Sequence, residues 1–152
     1  MILLASIANA CETAIDLELN ENVNPTENNS GLIVFVSLGM PKYSLQQWNL
    51  QVTKAGGVLV LRGFVNNSMK QTVNKITEIL GKEPQGGFSI DPEKFKQFNI
   101  KVVPTVLVAS NDTSFDKVSG DASLTYALEK IAADGEHGEV AKVWLKKLQG
   151  DL

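Results

Sequence analysis

LIVFVSLGMPKYSLQQW, residues 32–48, sets an apolar run against a Gly-Met-Pro-Lys-Tyr turn and then an amphipathic pattern. Leu32 to Ser37 is continuous and rich in β-branched residues, the pattern of a strand covered on both faces. Ser44 is positioned to cap a helix reaching about Ala55, with Leu45, Trp48, Leu50 and Val52 roughly along one face. Gly56-Gly57 ends it, because glycine tolerates the left-handed conformation that closes helices. Many α/β proteins keep their chemistry in a strand-turn-helix of this kind. Here the turn has no cysteine, histidine, carboxylate or phosphate-binding glycine pattern.

Outward from this stretch, Val58–Phe64 reads as a second buried strand, interrupted by Arg62 and Gly63. A helix beginning at Asn67 or Ser68 carries Met69, Val73, Ile76, Ile79 and Leu80 at steps of three and four, and Gly81 closes it. Asp91 before Pro92 predicts an N-cap with proline at the first helical position, opening a short helix with Phe95 and Phe98. Residues 101–109, KVVPTVLVA, form a strand entered through a proline. After the Asn111-Asp112 turn, residues 115–118 form an antiparallel partner for it. Two helices follow, over about residues 122–133 and 139–148, separated by Asp134-Gly135 and Gly138.

The order is β, α, β, α, short α, β, β, α, α. A leading βαβ unit makes parallel strands and a short-turn ββ pair makes antiparallel ones. Together they predict an α/β, thioredoxin-like domain with a four-strand mixed sheet and helices on both faces. Proline is awkward at the start of a central strand because it donates no ladder hydrogen bond. Val103-Pro104-Thr105 resembles the segment of that fold in which a cis proline enters the third strand opposite the first βα turn. A trans proline at a strand end is the alternative.

The 152 residues point to one domain, and the chain is long enough to bury about two thirds of its unfolded surface. With 43% hydrophobic and 20% charged residues and a net charge of -3, it has no basic field for nucleic acid. A single cysteine, Cys11, excludes an intramolecular disulfide and a Cys-x-x-Cys pair, and a single histidine, His137, excludes a His-rich metal cluster. No cofactor is implied. Ala8-Asn9-Ala10 has the small-x-small pattern of a signal-peptidase site, with cleavage expected after Ala10, although the apolar run before it is short and no lysine or arginine precedes it. A lipidated Cys11 is an alternative, as is an ordinary surface cysteine. Residues 18–30, ELNENVNPTENNS, read as a polar linker, so residues 1–30 are a signal-like segment and linker and residues 31–150 the folded domain. The sequence predicts no transmembrane segment in the mature chain.

Four segments in register carry a family resemblance: FVSLGMP (35–41), LRGFVNN (61–67), IDPEKFKQFNIKVVP (90–104) and DKVSGDASLTYALEKIA (116–132). The chain resembles the TrbC family of F-type conjugative transfer systems, periplasmic proteins required for pilus assembly. The resemblance covers about residues 33–148. Some members carry a long helical region at the front, where this chain has only a brief linker. The resemblance implies a periplasmic, non-catalytic component of a type IV secretion system that acts through protein contacts. The implied partners are a TraW-like transfer protein and other conjugation-apparatus proteins, and pilin is a further candidate.

Aligned on the thioredoxin-like dithiol turn, Met40-Pro41-Lys42-Tyr43 puts methionine and tyrosine at the two sulfur positions. Neither can exchange thiols, which counts against a disulfide isomerase. What remains is a candidate partner-binding edge of Gly39, Met40, Pro41 and Tyr43 facing Val103 and Pro104. The alternative is that Met40 and Tyr43 simply cover the top of the core. A peptide-holding chaperone for pilin subunits would use the same edge. Arg62, Gly63, Asn66, Asp91, Pro92 and Pro104 (as a cis proline) read as structural. Arg62 is expected to be buried and paired, with Asp91 a candidate partner. His137 reads as a loop residue, and no Ser-His-Asp set is predicted. Trp144, beside Lys142, Lys146 and Lys147, marks a helix docking on its own domain, with a partner groove as the alternative.

Overall fold

A computed structural model describes residues 31–82, 86–111 and 113–150. The signal-like segment, Cys11, the linker over residues 1–30 and Asp112 of the expected turn lie outside the described residues. The elements run β1 (Gly31–Val36), α1 (Lys42–Ala55), β2 (Val58–Leu61), a 3-10 turn (Val65–Asn67), α2 (Met69–Leu80), β3 (Gly87–Ile90), α3 (Pro92–Gln97), β4 (Thr105–Ala109), β5 (Phe115–Ser119), α4 (Leu124–Asp134) and α5 (Gly138–Gln149).

The strands form one α/β mixed sheet in the order β3-β2-β1-β4-β5. Strands β1, β2 and β3 are parallel, with Val36 opposite Leu61 and Leu61 opposite Ile90. Strands β1 and β4 are antiparallel, with Phe35 opposite Thr105, and β4 pairs with β5 through the short hairpin. Among the described residues the sheet thus has five strands where the sequence predicts four. The extra strand, β3, has only four residues, starts at a glycine and has no fully buried side chain. Such an edge strand carries too little hydrophobic periodicity to stand out.

Three element boundaries also move. Strand β2 stops at Leu61 instead of Phe64, because Leu61 is the last residue with ladder partners on both sides. Arg62, Gly63 and Phe64 therefore leave the sheet and are exposed. Helix α1 starts at Lys42 with Pro41 in the capping position and no side-chain cap, so Ser44 is not the cap. Strand β4 begins only at Thr105, after a cis Val103–Pro104 peptide.

Several other local signals have structural counterparts. Gly56 closes α1 at φ 81°, and a Cβ on Gly57 would come within 3.0 Å of Leu32. Ser68 caps α2 by accepting the Gln71 N–H, after Asn66 and Asn67 adopt left-handed angles that asparagine tolerates. Asp91 caps α3 by accepting the Lys94 N–H at 3.0 Å, with Pro92 at its first position.

Alternation along β1 sorts its side chains into two cores. Leu32, Val34 and Val36 join Leu59, Leu61, Val106 and Val108 beneath α1, α2, α4 and α5, with Trp48, Val52, Leu128 and Ile131 among the covering residues. Ile33 and Phe35 face the other way with Val60 and Leu107, covered by Phe95, Phe98 and Ile100 around α3. Helices therefore lie on both faces, though among the described residues only α3 covers the second. Aromatic packing compensates there. Phe35 meets Phe95 edge-on at 4.9 Å between centroids, Phe98 meets Phe115 edge-on at 4.8 Å, and both Phe35 and Phe98 are 0% exposed.

Phe98→Ala is expected to destabilise the domain by about 3–5 kcal/mol, because it opens a cavity under a single short helix. Urea unfolding checks this, and Phe98→Leu should cost less than half as much.

Candidate functional site

The sheet order brings three connections to one end. Strands β1 and β2 are parallel and finish together, while β4 runs antiparallel to β1 and enters where β1 ends. Between these connections lies a cavity of about 690 Å3. One wall is residues 36–39 and a second is residues 61–65. The third comes from Phe95, Ile100, Lys101 and Val103, and Lys75 reaches in from α2.

Each wall is held by short hydrogen bonds. In the first turn, Ser37 accepts the Gly39 N–H on its Oγ at 3.2 Å and the Met40 N–H on its carbonyl at 3.1 Å. In the second, the buried Thr72 hydroxyl accepts the Val65 N–H and donates to the Ser68 carbonyl, both at 2.8 Å. In the third, Thr105 Oγ1 donates to the Val102 carbonyl at 2.6 Å, and the Pro104 carbonyl accepts the Gly120 N–H at 3.0 Å. The walls are therefore built in before any ligand arrives.

A carboxylate fixes the neighbouring helix. Asp121 accepts from Ser44 Oγ at 2.8 Å and from Trp48 Nε1 at 2.9 Å, and Gln51 Oε1 accepts the Leu124 N–H at 2.8 Å. The start of α1, which follows the 36–39 turn, is thereby tied to the loop between β5 and α4. Trp48 is 2% exposed, so its indole N–H depends on this partner.

The chain's net charge is -3, yet the cavity lining carries Arg62, Lys75 and Lys101 and no carboxylate. Lys75 makes only an exposed pair with Glu78 at 3.3 Å. Among the described residues, Arg62 and Lys101 have no ion-pair partner. Arg62 is therefore not the buried, paired arginine expected from the sequence. It falls beyond the last ladder residue, and the Asp91 carboxylate is engaged by Lys94 through its backbone N–H and its ammonium, the latter at 3.3 Å. Asp91 does serve this corner through its own N–H, which donates to the Leu61 carbonyl at 2.9 Å.

Of the residues proposed as a partner-binding edge, Gly39 and Val103 line the cavity. Met40, Pro41, Tyr43 and Pro104 lie outside the lining. Met40 is half-buried against the α1 side of the core, Tyr43 is 73% exposed on α1, and Pro104 is buried. Of the residues read as structural, Arg62 and Gly63 line the cavity instead. A Cβ on Gly63 would meet nothing within 4 Å, so no packing demands glycine there. Asn66 donates to Gln71 Oε1 at 2.9 Å and steadies the second wall. Sequence reasoning missed Phe64, Val65, Lys75 and Lys101. Phe64, Val65 and Lys101 lie in the connections just outside strands and Lys75 on α2, positions where such residues are too common to single out.

His137 lies in the α4–α5 connection, the loop position that the sequence predicts, and is buried there. It is 8% exposed, its Nδ1 lies 3.0 Å from Asp116 Oδ2 and its Nε2 lies 2.9 Å from Ser114 Oγ. Its backbone N–H donates to the same Asp116 oxygen at 2.7 Å. A Ser-His-Asp chain thus exists across the hairpin and the α4–α5 connection. Acyl transfer also needs N–H donors aimed at the developing oxyanion. Those of Thr113 and Ser114 both donate to Asn111 Oδ1. Among the described residues there is no His, Cys, Asp and Glu cluster suited to a metal, and no helix long and apolar enough to cross a membrane.

Residues 34–131 match the family model of the type-F conjugative transfer system pilin assembly protein, TrbC. The chain belongs to the TrbC family. It is also 32% identical over 111 residues to the periplasmic protein TrbC of Escherichia coli K12, an alignment covering 73% of this chain and 52% of that protein. The chain therefore spans about half the length of this curated relative. No solved structure matches it. The TrbC match takes in all three cavity walls and Asp121, and stops before His137.

Asp121→Ala is expected to cost about 1–3 kcal/mol by leaving a buried indole N–H without an acceptor. Tryptophan fluorescence during urea unfolding reads both the loss and the change around Trp48.

Proposed function

We propose that the chain is a non-catalytic periplasmic component of an F-type conjugative type IV secretion system, needed for pilus assembly through contacts with other transfer proteins, a TraW-like protein first among them. The observation that carries this reading is the family match over residues 34–131, which includes every wall of the cavity. The relative's name, periplasmic protein TrbC, supports the compartment.

A thioredoxin-like ancestry belongs to this reading. Strands β1, β2, β4 and β5 stand in the order β2-β1-β4-β5, with β1 and β2 parallel, β4 and β5 antiparallel to their neighbours, and a cis proline entering β4 beside the end of β1. Strand β3 is then an addition at the edge. The turn where such proteins hold a dithiol carries Met40 and Tyr43, and the chain's single cysteine, Cys11, precedes the folded domain. Thiol exchange has no sulfur pair to act through. The Ser114–His137–Asp116 chain supports a structural latch, since the Thr113 and Ser114 N–H groups are engaged with Asn111 and that of His137 with Asp116. Binding is what this surface offers: three rigid walls and an open cavity, with DNA transfer served and no DNA contacted.

A strain lacking the gene should lose pilus assembly and DNA transfer, and expression of the full chain should restore both. The purified chain should retain the TraW-like protein and not unfolded pilin. Retention of unfolded pilin alone would favour a peptide-holding chaperone, a reading to which the open cavity lends some support. Retention of neither rejects the partner assignment.

A further inference from the structure

The cavity has an apolar floor and a cationic rim. Val36, Leu61, Phe95 and Ile100 supply buried side chains, while Phe64 and Val102 stand exposed beside Arg62 and Lys101. A carboxylate on the lining would neutralise these cations internally, and there is none. Lys75, the third cation, is held only by an exposed pair, which an incoming anion can replace at little cost. Arg62, Gly63 and Lys101 lie outside the regular elements: Arg62 and Gly63 lie past the ladder, and Lys101 precedes β4. The volume lies within the range of pockets that bury most of a drug-sized ligand, about the bulk of a short peptide segment.

We propose that this cavity takes a short acidic peptide segment of a partner protein, with apolar side chains on the floor and carboxylates on Arg62, Lys75 and Lys101. The proposal rests on the reading that the chain works through protein contacts, and it specifies the chemistry of one of them. Charge complementarity selects the occupant: an uncharged apolar segment leaves Arg62 and Lys101 without ion-pair partners, and a basic segment is repelled. Affinity comes from the floor, whereas the rim sets orientation and the choice between partners. Because the walls are hydrogen-bonded in place, little ordering opposes binding.

The test is calorimetric and NMR titration of the full chain with a six-residue peptide of alternating leucine and glutamate, blocked at both ends, and with its leucine and glutamine counterpart. The glutamate peptide should bind at least about tenfold more tightly than the glutamine one, and weaken as salt rises through about 0.5 M. Its amide shifts should centre on residues 36–39, 61–65 and 95–103. Arg62→Glu with Lys101→Glu should reduce its affinity at least about tenfold, and so should Gly63→Leu, whose new side chain enters open space. Unchanged urea midpoints establish that these variants fold. Equal binding of the two peptides, binding unaffected by the variants, shifts centred elsewhere, or inorganic phosphate binding as tightly as the peptide would each overturn the proposal. Peptide failure with the TraW-like protein still retained rejects the cavity alone. Peptide binding without any transfer-protein partner rejects the assembly reading and keeps the cavity.

Discussion

The burial of β1 on both faces is the constraint from which the rest of the domain is arranged. Residues 32–36 are all buried, and their alternation divides the apolar interior into a helix-covered core and an aromatic one. A strand so enclosed must have every backbone group paired, since an unsatisfied amide in such surroundings costs about 1–3 kcal/mol. Strand β2 on one side and β4 on the other meet that demand. Their opposite directions then bring the end of β1, the end of β2 and the start of β4 together. The cavity is thus a product of strand pairing before any side chain within it is considered.

Support for the cavity comes from residues outside it. Asp121 ties α1 to the loop after β5, Thr72 ties the 62–68 segment to α2, and Asp91 ties the end of β2 to α3. At the opposite side, His137 ties the hairpin to the start of α5 through Asp116 and Ser114. Asp121, Thr72 and His137 bridge two elements through their side chains, and Asp91 does so with its backbone N–H on the Leu61 carbonyl while its carboxylate caps α3. Apolar packing sets where the layers lie, and these bridges set the angles at which the turns emerge.

Legibility in the sequence followed the strength of local periodicity. Strands β1 and β4 are continuous apolar runs, α2 has a regular stripe, and Ser68, Gly56 and Asp91 are positional signals with one dominant use each, so those elements could be read directly. Strand β3 could not, because GFSI acquires strand character only from the presence of β2 beside it. Arg62 misled for a related reason. Its neighbours Leu61 and Phe64 are apolar, but whether the ladder extends past Leu61 depends on partners that lie far along the chain. The turn carrying Gly39, which lines the cavity, could be singled out from its place after β1. The cationic rim was not, since Arg62, Lys75 and Lys101 are separated in sequence and converge only through the sheet order. The Ser114–His137–Asp116 contact was hidden in the same way, by a separation of 23 residues between serine and histidine.

Gly63, exposed at the cavity mouth with an unobstructed Cβ direction, carries an evolutionary implication. Neither it nor its neighbour Arg62 contributes a packed side chain to either core. Substitution at such positions is nearly neutral for folding, so the chemistry of the mouth can be rewritten without renegotiating the scaffold. Foldability and the chemistry of the mouth are carried by separate sets of residues, so the domain can be kept while little more than the rim is altered.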